Sequence, residues 1–287
     1  MTNSCADGAR SDSGARSGSV FGFGFASGAG TGSGSGTGSG SDAGSGSDAG
    51  SGSDAGSAVV HAWVDGWARA RGTDAPRQVP GGFRIEVGRP HHLARYVLPA
   101  ADPAVLRRLV DGITTPGLWL KVCAPREAVA PALTPAWEIS EPQYLMTSPL
   151  AVPPARPLAP PPGYRLDVSH QDDGTLDARV LACEEAGAGD SGAAPVPAAS
   201  GRVALVSPTG HRGAYRPSAV FDMIGTEAAH RRRGLGRVVM AALAARAAEL
   251  GAVEGVLVAS PDGRELYRAL GWRLRAPVTA AVIPARS

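Results

Sequence analysis

Residues 224–237 read Ile224-Gly225-Thr226-Glu227-Ala228-Ala229-His230-Arg231-Arg232-Arg233-Gly234-Leu235-Gly236-Arg237. The apolar run 219–226 enters this stretch as a strand. A helix expected over 234–250 leaves it, with Val239, Leu243, Ala247 and Leu250 on one face and Gly251 as its stop. The junction is basic and carries glycines. Helix N-termini expose unpaired backbone N–H groups and a partial positive charge, so they attract phosphate. Gly234 and Gly236 let a pyrophosphate approach the backbone closely. Arg231, Arg232 and Arg233 can add charge-assisted hydrogen bonds. The stretch therefore predicts a site for a phosphate-bearing ligand.

Two common phosphate motifs do not fit. A Walker loop needs Gly-Lys-Ser/Thr, which is absent, and the dinucleotide fingerprint needs a third glycine where Val239 stands. Downstream, 255–259 reads as a buried parallel strand. A short helix follows over 262–270, with Asp262 as its expected cap and Glu265 in a capping-box position. Strands are expected at 272–274 and 278–283. Upstream, 164–168, 178–182 and 202–206 read as strands, and 184–199, rich in Gly, Ala and Pro, reads as a long exposed loop.

The segment Arg231-Arg232-Arg233-Gly234-Leu235-Gly236 resembles the coenzyme A loop of the GNAT superfamily of N-acetyltransferases, Arg/Gln-x-x-Gly-x-Gly/Ala. Leu266-Tyr267-Arg268-Ala269-Leu270-Gly271-Trp272 resembles a second family segment, Tyr-x-x-x-Gly-Phe, in the right order and at the right distance. The resemblance covers about 163–283. It implies an acetyltransferase using acetyl-CoA as co-substrate, with an amine acceptor attacking directly in a ternary complex. By that resemblance Ile224, Gly225 and Thr226 hold the pantetheine and thioester carbonyl, and a backbone N–H there stabilises the oxyanion. The loop Arg231–Gly236 holds the pyrophosphate, and Tyr267 protonates the departing thiolate. A carboxylate can deprotonate the amine. Asp222 stands where relatives often place Glu, and a structural acid is an equal reading of it. Strand alternation would put Asp222 and Thr226 on one face. Glu227 is the next candidate base, and His230 reads as a plain exposed histidine.

Four stretches are expected along the chain. Residues 1–57 are a Gly/Ser/Asp-rich tail, with Gly-Ser-Gly-Ser-Asp-Ala three times over 38–55 and too little apolar surface to order it. Residues 58–148 are a smaller α/β region. In it, Val60, Trp63, Val64 and Trp67 mark an amphipathic helix, Asp102-Pro103 marks a second helix start, and strands fall at 83–87, 95–98, 117–122 and 143–147. Residues 149–162 are a proline-rich linker. Residues 163–287 are the GNAT-like domain. The fold class is α/β (α+β), a mixed and mostly antiparallel sheet flanked by helices. The N-terminal α/β region is open to being a degenerate half of the same fold. A family member has helices between its first two strands, and the short segment 169–177 leaves no room for them. The N-terminal region is their expected donor.

Composition excludes some classes. Net charge is +2, which gives no reason for bulk binding to nucleic acid or to an anionic membrane. No apolar stretch is long enough to span a bilayer and no signal peptide is seen, so a cytoplasmic protein is expected. Lys121 is the only lysine, in keeping with a high-GC coding bias. The three cysteines and the six histidines make no ligand spacing, so no metal is expected. Cys123 reads as a buried strand residue, and Trp63 and Trp67 as core. By the resemblance the acceptor is an amine on a small molecule or a peptide, and the sequence does not choose among small amines, antibiotics, amino acids and protein amines; a homodimer is compatible with it. The competing reading is a non-catalytic acyl-CoA-binding or regulatory module. Nucleic-acid binding by the arginines is a weaker third.

Overall fold

The structure is a computed structural model, and it describes residues 51–150, 158–183, 197–208 and 215–285, with side chains from Gly56 onward. Nearly all of the expected tail, half of the proline-rich stretch and most of the loop 184–199 lie outside the described residues.

The first half runs α1 (Ser51–Ala70), β1 (Arg77–Val79), β2 (Gly82–Arg89), β3 (His92–Leu98), α2 (Pro103–Asp111), β4 (Leu118–Val122), α3 (Arg126–Val129), β5 (Glu138–Ile139) and β6 (Gln143–Pro149). The second runs β7 (Tyr164–His170), β8 (Thr175–Ala182), β9 (Ala199–Val206), β10 (Ser218–Thr226), α4 (Leu235–Glu249), β11 (Glu254–Ala259), α5 (Pro261–Ala269) and β12 (Arg273–Val282). All strands join one 12-stranded sheet in the order β1-β2-β3-β4-β12-β6-β11-β10-β9-β8-β7, with β5 on β12. Among the described residues only β3/β4 and β10/β11 pair in parallel. Each of those pairs needs a crossover, and α2 and α4 supply them. The fold class is therefore the mixed, mostly antiparallel sheet flanked by helices read from the sequence.

The two halves exchange strands. β6 precedes the proline-rich stretch, yet it is hydrogen-bonded to β11 on one edge and β12 on the other. β12 in turn pairs with β6 over Arg273–Val278 and with β4 over Thr279–Val282. The strands expected at 272–274 and 278–283 are thus one. Pro277 lies inside this strand. The strand tolerates it beside a register irregularity between Leu274 and Ala276, where ladder bonds are already interrupted.

Burial explains the other differences from expectation. α1 begins at Ser51, within the third repeat copy. Its apolar stripe, Val60, Trp63, Val64 and Trp67, is buried against Phe83, Val206, Val220 and Val256. Gly66 lets it approach closely, because a Cβ there would overlap the Val220 side chain. α1 thus covers the β9–β10 face, while β7 and β8 form a tight hairpin with no helix between them. On the opposite face, α4 buries Leu235, Val238, Val239, Met240, Leu243 and Ala247. Leu250, expected in that stripe, lies past the helix end and is exposed. α5 is capped by Ser260, whose hydroxyl accepts from Gly263 N, and not by Asp262. Pro261 takes the first helical position, which moves the cap one residue ahead of it.

Candidate active site between splayed strands

The parallel strands β10 and β11 stay paired only over Ser218–Val220 and Glu254–Val256. Beyond that point β10 follows β9 and β11 follows β6, so the two diverge towards their C-terminal ends. A gap therefore opens in the sheet, with unpaired backbone groups along the edge of β10. At the mouth of the gap the β9–β10 register shifts between Asp222 and Gly225, and Met223 takes φ +54°. A positive φ at a residue with a long side chain costs of order 1 kcal/mol or more and marks a β-bulge.

The bulge resets which way side chains point. Asp222 reaches Arg71 just past the end of α1, whereas Ile224 packs into the core beneath α4 and Thr226 Oγ1 lies beside Gly236 at the start of α4. Asp222 and Thr226 are therefore on opposite faces of the sheet, correcting the simple alternation. The Asp222 carboxylate is taken: Arg71 Nε donates to Oδ2 at 2.6 Å and a terminal nitrogen to Oδ1 at 3.2 Å.

The basic turn follows β10. After a 3-10 turn, Ala228–His230, the chain passes Arg232 at φ +61° and Gly234 at φ +77° and enters α4. No side chain caps this helix. A Cβ at Gly234 would meet nothing within 4 Å, and one at Gly236 would make ordinary contact, 3.5 Å from Leu266 and Thr226. The amides of the first turn are left open to a ligand. Arg231, Arg232, Arg233 and Gly234 are exposed, while the Leu235 side chain is core and offers only its backbone. Arg231 Nε donates to Thr226 O at 3.4 Å, and Arg233 donates to Tyr164 Oη at 3.0 Å. Tyr164 Oη is also 2.9 Å from His230 Nδ1. His230 is half-buried, so it holds the turn to β7 and is not a free surface histidine. Tyr164 was not legible as a site residue, because nothing local marks a strand tyrosine as the anchor of a turn some 66 positions away.

The first half has the same strand–helix–parallel strand crossover, β3–α2–β4, but its helix start is closed. Asp102 caps α2, accepting from Ala104 N at 2.8 Å and Val105 N at 3.0 Å. Those backbone bonds hold its carboxyl below the usual carboxylate range. A carboxylate already fills the place an anion would take there, so of the two crossovers the α4 turn is the open one.

Tyr267 on α5 is buried, its ring 6.1 Å from Trp272. Burial first, then the Asp222 charge, pushes its phenol up to about 12, so it holds its proton at neutral pH. Cys123, directly after β4, is buried, and that burial pushes its thiol up to about 12, which removes it as a nucleophile.

Residues 215–280 match the family model described as FR47-like protein. A GCN5-related N-acetyltransferase from Kribbella flavida superposes with TM-score 0.52 at 18% identity, covering 80% of this chain and 96% of that one. This protein has the GNAT fold. A GNAT protein from Sphaerobacter thermophilus gives TM-score 0.47 at 11% identity over 72% of this chain and 78% of its own. A predicted acetyltransferase from Clostridium acetobutylicum, solved with acetyl-CoA, gives 0.28 at 19% identity over 36% and 60%. No curated protein matches the chain in sequence.

The α1 side of the GNAT gap holds a group of cations that the sequence did not single out. Arg95 on β3 and Lys121 on β4 are buried, at 9% and 5% exposure. The Arg95 guanidinium lies 4.0 Å from the Trp67 ring centroid, and that of Arg71 lies 5.1 Å from it. Lys121 donates to Gln143 Oε1 on β6. Burial and the neighbouring charge of Arg71 lower Arg95 to about 9, and Lys121 falls well below its usual range for the same kinds of reason. His92, between Trp67 and Trp119, is lowered to about 3 by burial and the same cations, so it is neutral. The one signal in the sequence was a charged residue at a buried phase of each strand.

Among the described residues no group of His, Cys, Asp or Glu is placed to hold a metal ion, and no helix is long and apolar enough to cross a membrane.

Proposed function

We propose that the chain moves an acetyl group from acetyl-CoA to an amine acceptor in a ternary complex. The observation that carries this reading is the uncapped α4 turn at the mouth of a gap between splayed strands, ringed by exposed Arg231, Arg232 and Arg233. Acetyl-CoA fits there: a pyrophosphate meets the first-turn amides past Gly234 and Gly236, and the pantetheine extends along the unpaired edge of Ile224, Gly225 and Thr226.

The amine attacks the thioester carbonyl and forms a C–N bond. A backbone N–H of the β10 edge stabilises the oxyanion while the C–S bond breaks. Tyr267, a neutral phenol, gives its proton to the leaving thiolate. Asp222 is the carboxylate at the acceptor side of the gap. Beyond its two bonds from Arg71 the carboxylate has lone pairs left to accept from an ammonium group, with the proton leaving through water.

The test is to incubate the full chain with acetyl-CoA and a panel of amines, reading thiol release and acetylated product by mass. Acceptor-dependent release supports the enzyme. The ion pair on Asp222 favours one competing reading, a non-catalytic acyl-CoA-binding module, which would bind CoA and release no thiol with any acceptor.

A further inference from the structure

We propose that the acceptor is an amine that also carries a carboxylate, and that Arg95, with Lys121 and His92, forms the pocket that takes this group. The inference rests on the reading of the gap as an acetyl-transfer site.

Three cations, Arg71, Arg95 and Lys121, converge on the side of the gap opposite Tyr267. They face one acid, Asp222, whose oxygens are already held by Arg71. Among the described residues no carboxylate forms an ion pair with Arg95 or Lys121. A buried charge without a partner is costly, and proteins keep one where a ligand completes it. Two polar atoms here also lack partners while buried: Arg95 Nε and His92 Nε2. Such orphan groups in a native structure call for an explanation, and binding of a carboxylate supplies it.

The geometry selects the anion's shape. Trp67 holds the face of the Arg95 guanidinium, leaving its planar edge of N–H donors for a two-oxygen acceptor. His92 can present an N–H in the appropriate tautomer. The Trp67 and Trp119 rings flank His92 at 6.2 and 5.6 Å, and this apolar surface suits a small organic acid better than a fully hydrated ion. Asp222 is near enough for its charge to act on Arg95 and Lys121, so the amine end of a molecule whose carboxylate sits on Arg95 has this acid as its partner. The acceptor would enter beside Arg71, which lines a surface cleft of about 300 Å³ with Glu86 and Arg89.

The experiment measures thermal unfolding and titration calorimetry of the full chain with CoA present, using the L-amino acids and their matching carboxamides as probes. At least one acid should bind tenfold or more tightly than its amide, and Arg95→Met should remove that preference while CoA affinity stays within about twofold. Arg95→Lys keeps the charge but loses the fork, and should recover only part of it. If no acid binds wild-type protein better than its amide, the carboxylate pocket is wrong even where CoA binds normally. If CoA itself fails to bind, the acetyl-transfer reading fails first.

Discussion

Asp222 and Arg71 are joined by a two-point ion pair, 2.6 and 3.2 Å, that ties the end of α1 to β10 one residue before its bulge. The pair links the N-terminal half to the gap in the second. α1 packs over the β9–β10 face, and β7 and β8 join without a helix between them. Both side chains are part-exposed, so its worth is moderate. A double-mutant cycle with Arg71→Met and Asp222→Asn should give a coupling of about 1–2 kcal/mol. A coupling near zero would mean that the pair does not hold α1 in place.

Tyr267→Phe should lower kcat by about 100-fold and leave CoA affinity unchanged, since the hydroxyl acts on the leaving thiolate and not in binding. The wild-type phenol, raised to about 12, gives no alkaline limb in the rate profile below about pH 10. The sign for stability follows from the same shift. A folded value above the unfolded one means that the contribution is complete below about pH 10 and is lost as pH rises through 12. Alkaline unfolding of Tyr267→Phe should therefore be less steep than that of wild type. Equal steepness would contradict the burial argument.

Cys123 should resist alkylation in the folded protein at pH 8, because burial holds its thiol at about 12. Peptide mapping after iodoacetamide should find it modified only once denaturant is added. Rapid labelling of the native chain would place it outside the core.

Met223 sits at φ +54° in the bulge. Met223→Val adds a β-branched side chain that fits this backbone poorly, and should cost about 1–2 kcal/mol in urea unfolding. A neutral result would mean that β10 straightens easily and that the bulge does not fix the gap.

What was legible in the sequence was what is local. The turn from Ile224 to Gly236 is contiguous, and its chemistry follows from two glycines, three arginines and a helix start. The α1 stripe and the helix start at Asp102-Pro103 are equally local, as is the strand 143–147. Nothing in Asp222-Met223-Ile224 announces a positive φ, so the change of face between Asp222 and Thr226 could not be read. The insertion of β6 between β11 and β12 is a pairing choice across the proline-rich stretch, and strand patterns do not name their partners. Arg71, Arg95 and Lys121 come from three separate elements and meet only in the fold. Lys121 stood out only as the single lysine of a biased composition, yet it is among the most buried charges of the described residues.

The central claim is that the α4 turn binds the pyrophosphate of acetyl-CoA, and Gly236→Asp tests it most directly. Gly236 is the second residue of α4, where an aspartate suits the helix start and its Cβ has room, so the fold should be retained. The new carboxylate would compete for the amides that a phosphate needs, as Asp102 does on α2. Titration calorimetry with acetyl-CoA should show micromolar binding to the wild type and at least 100-fold weaker binding to the folded variant. Equal binding by both proteins, or no binding by the folded wild type, would contradict the account.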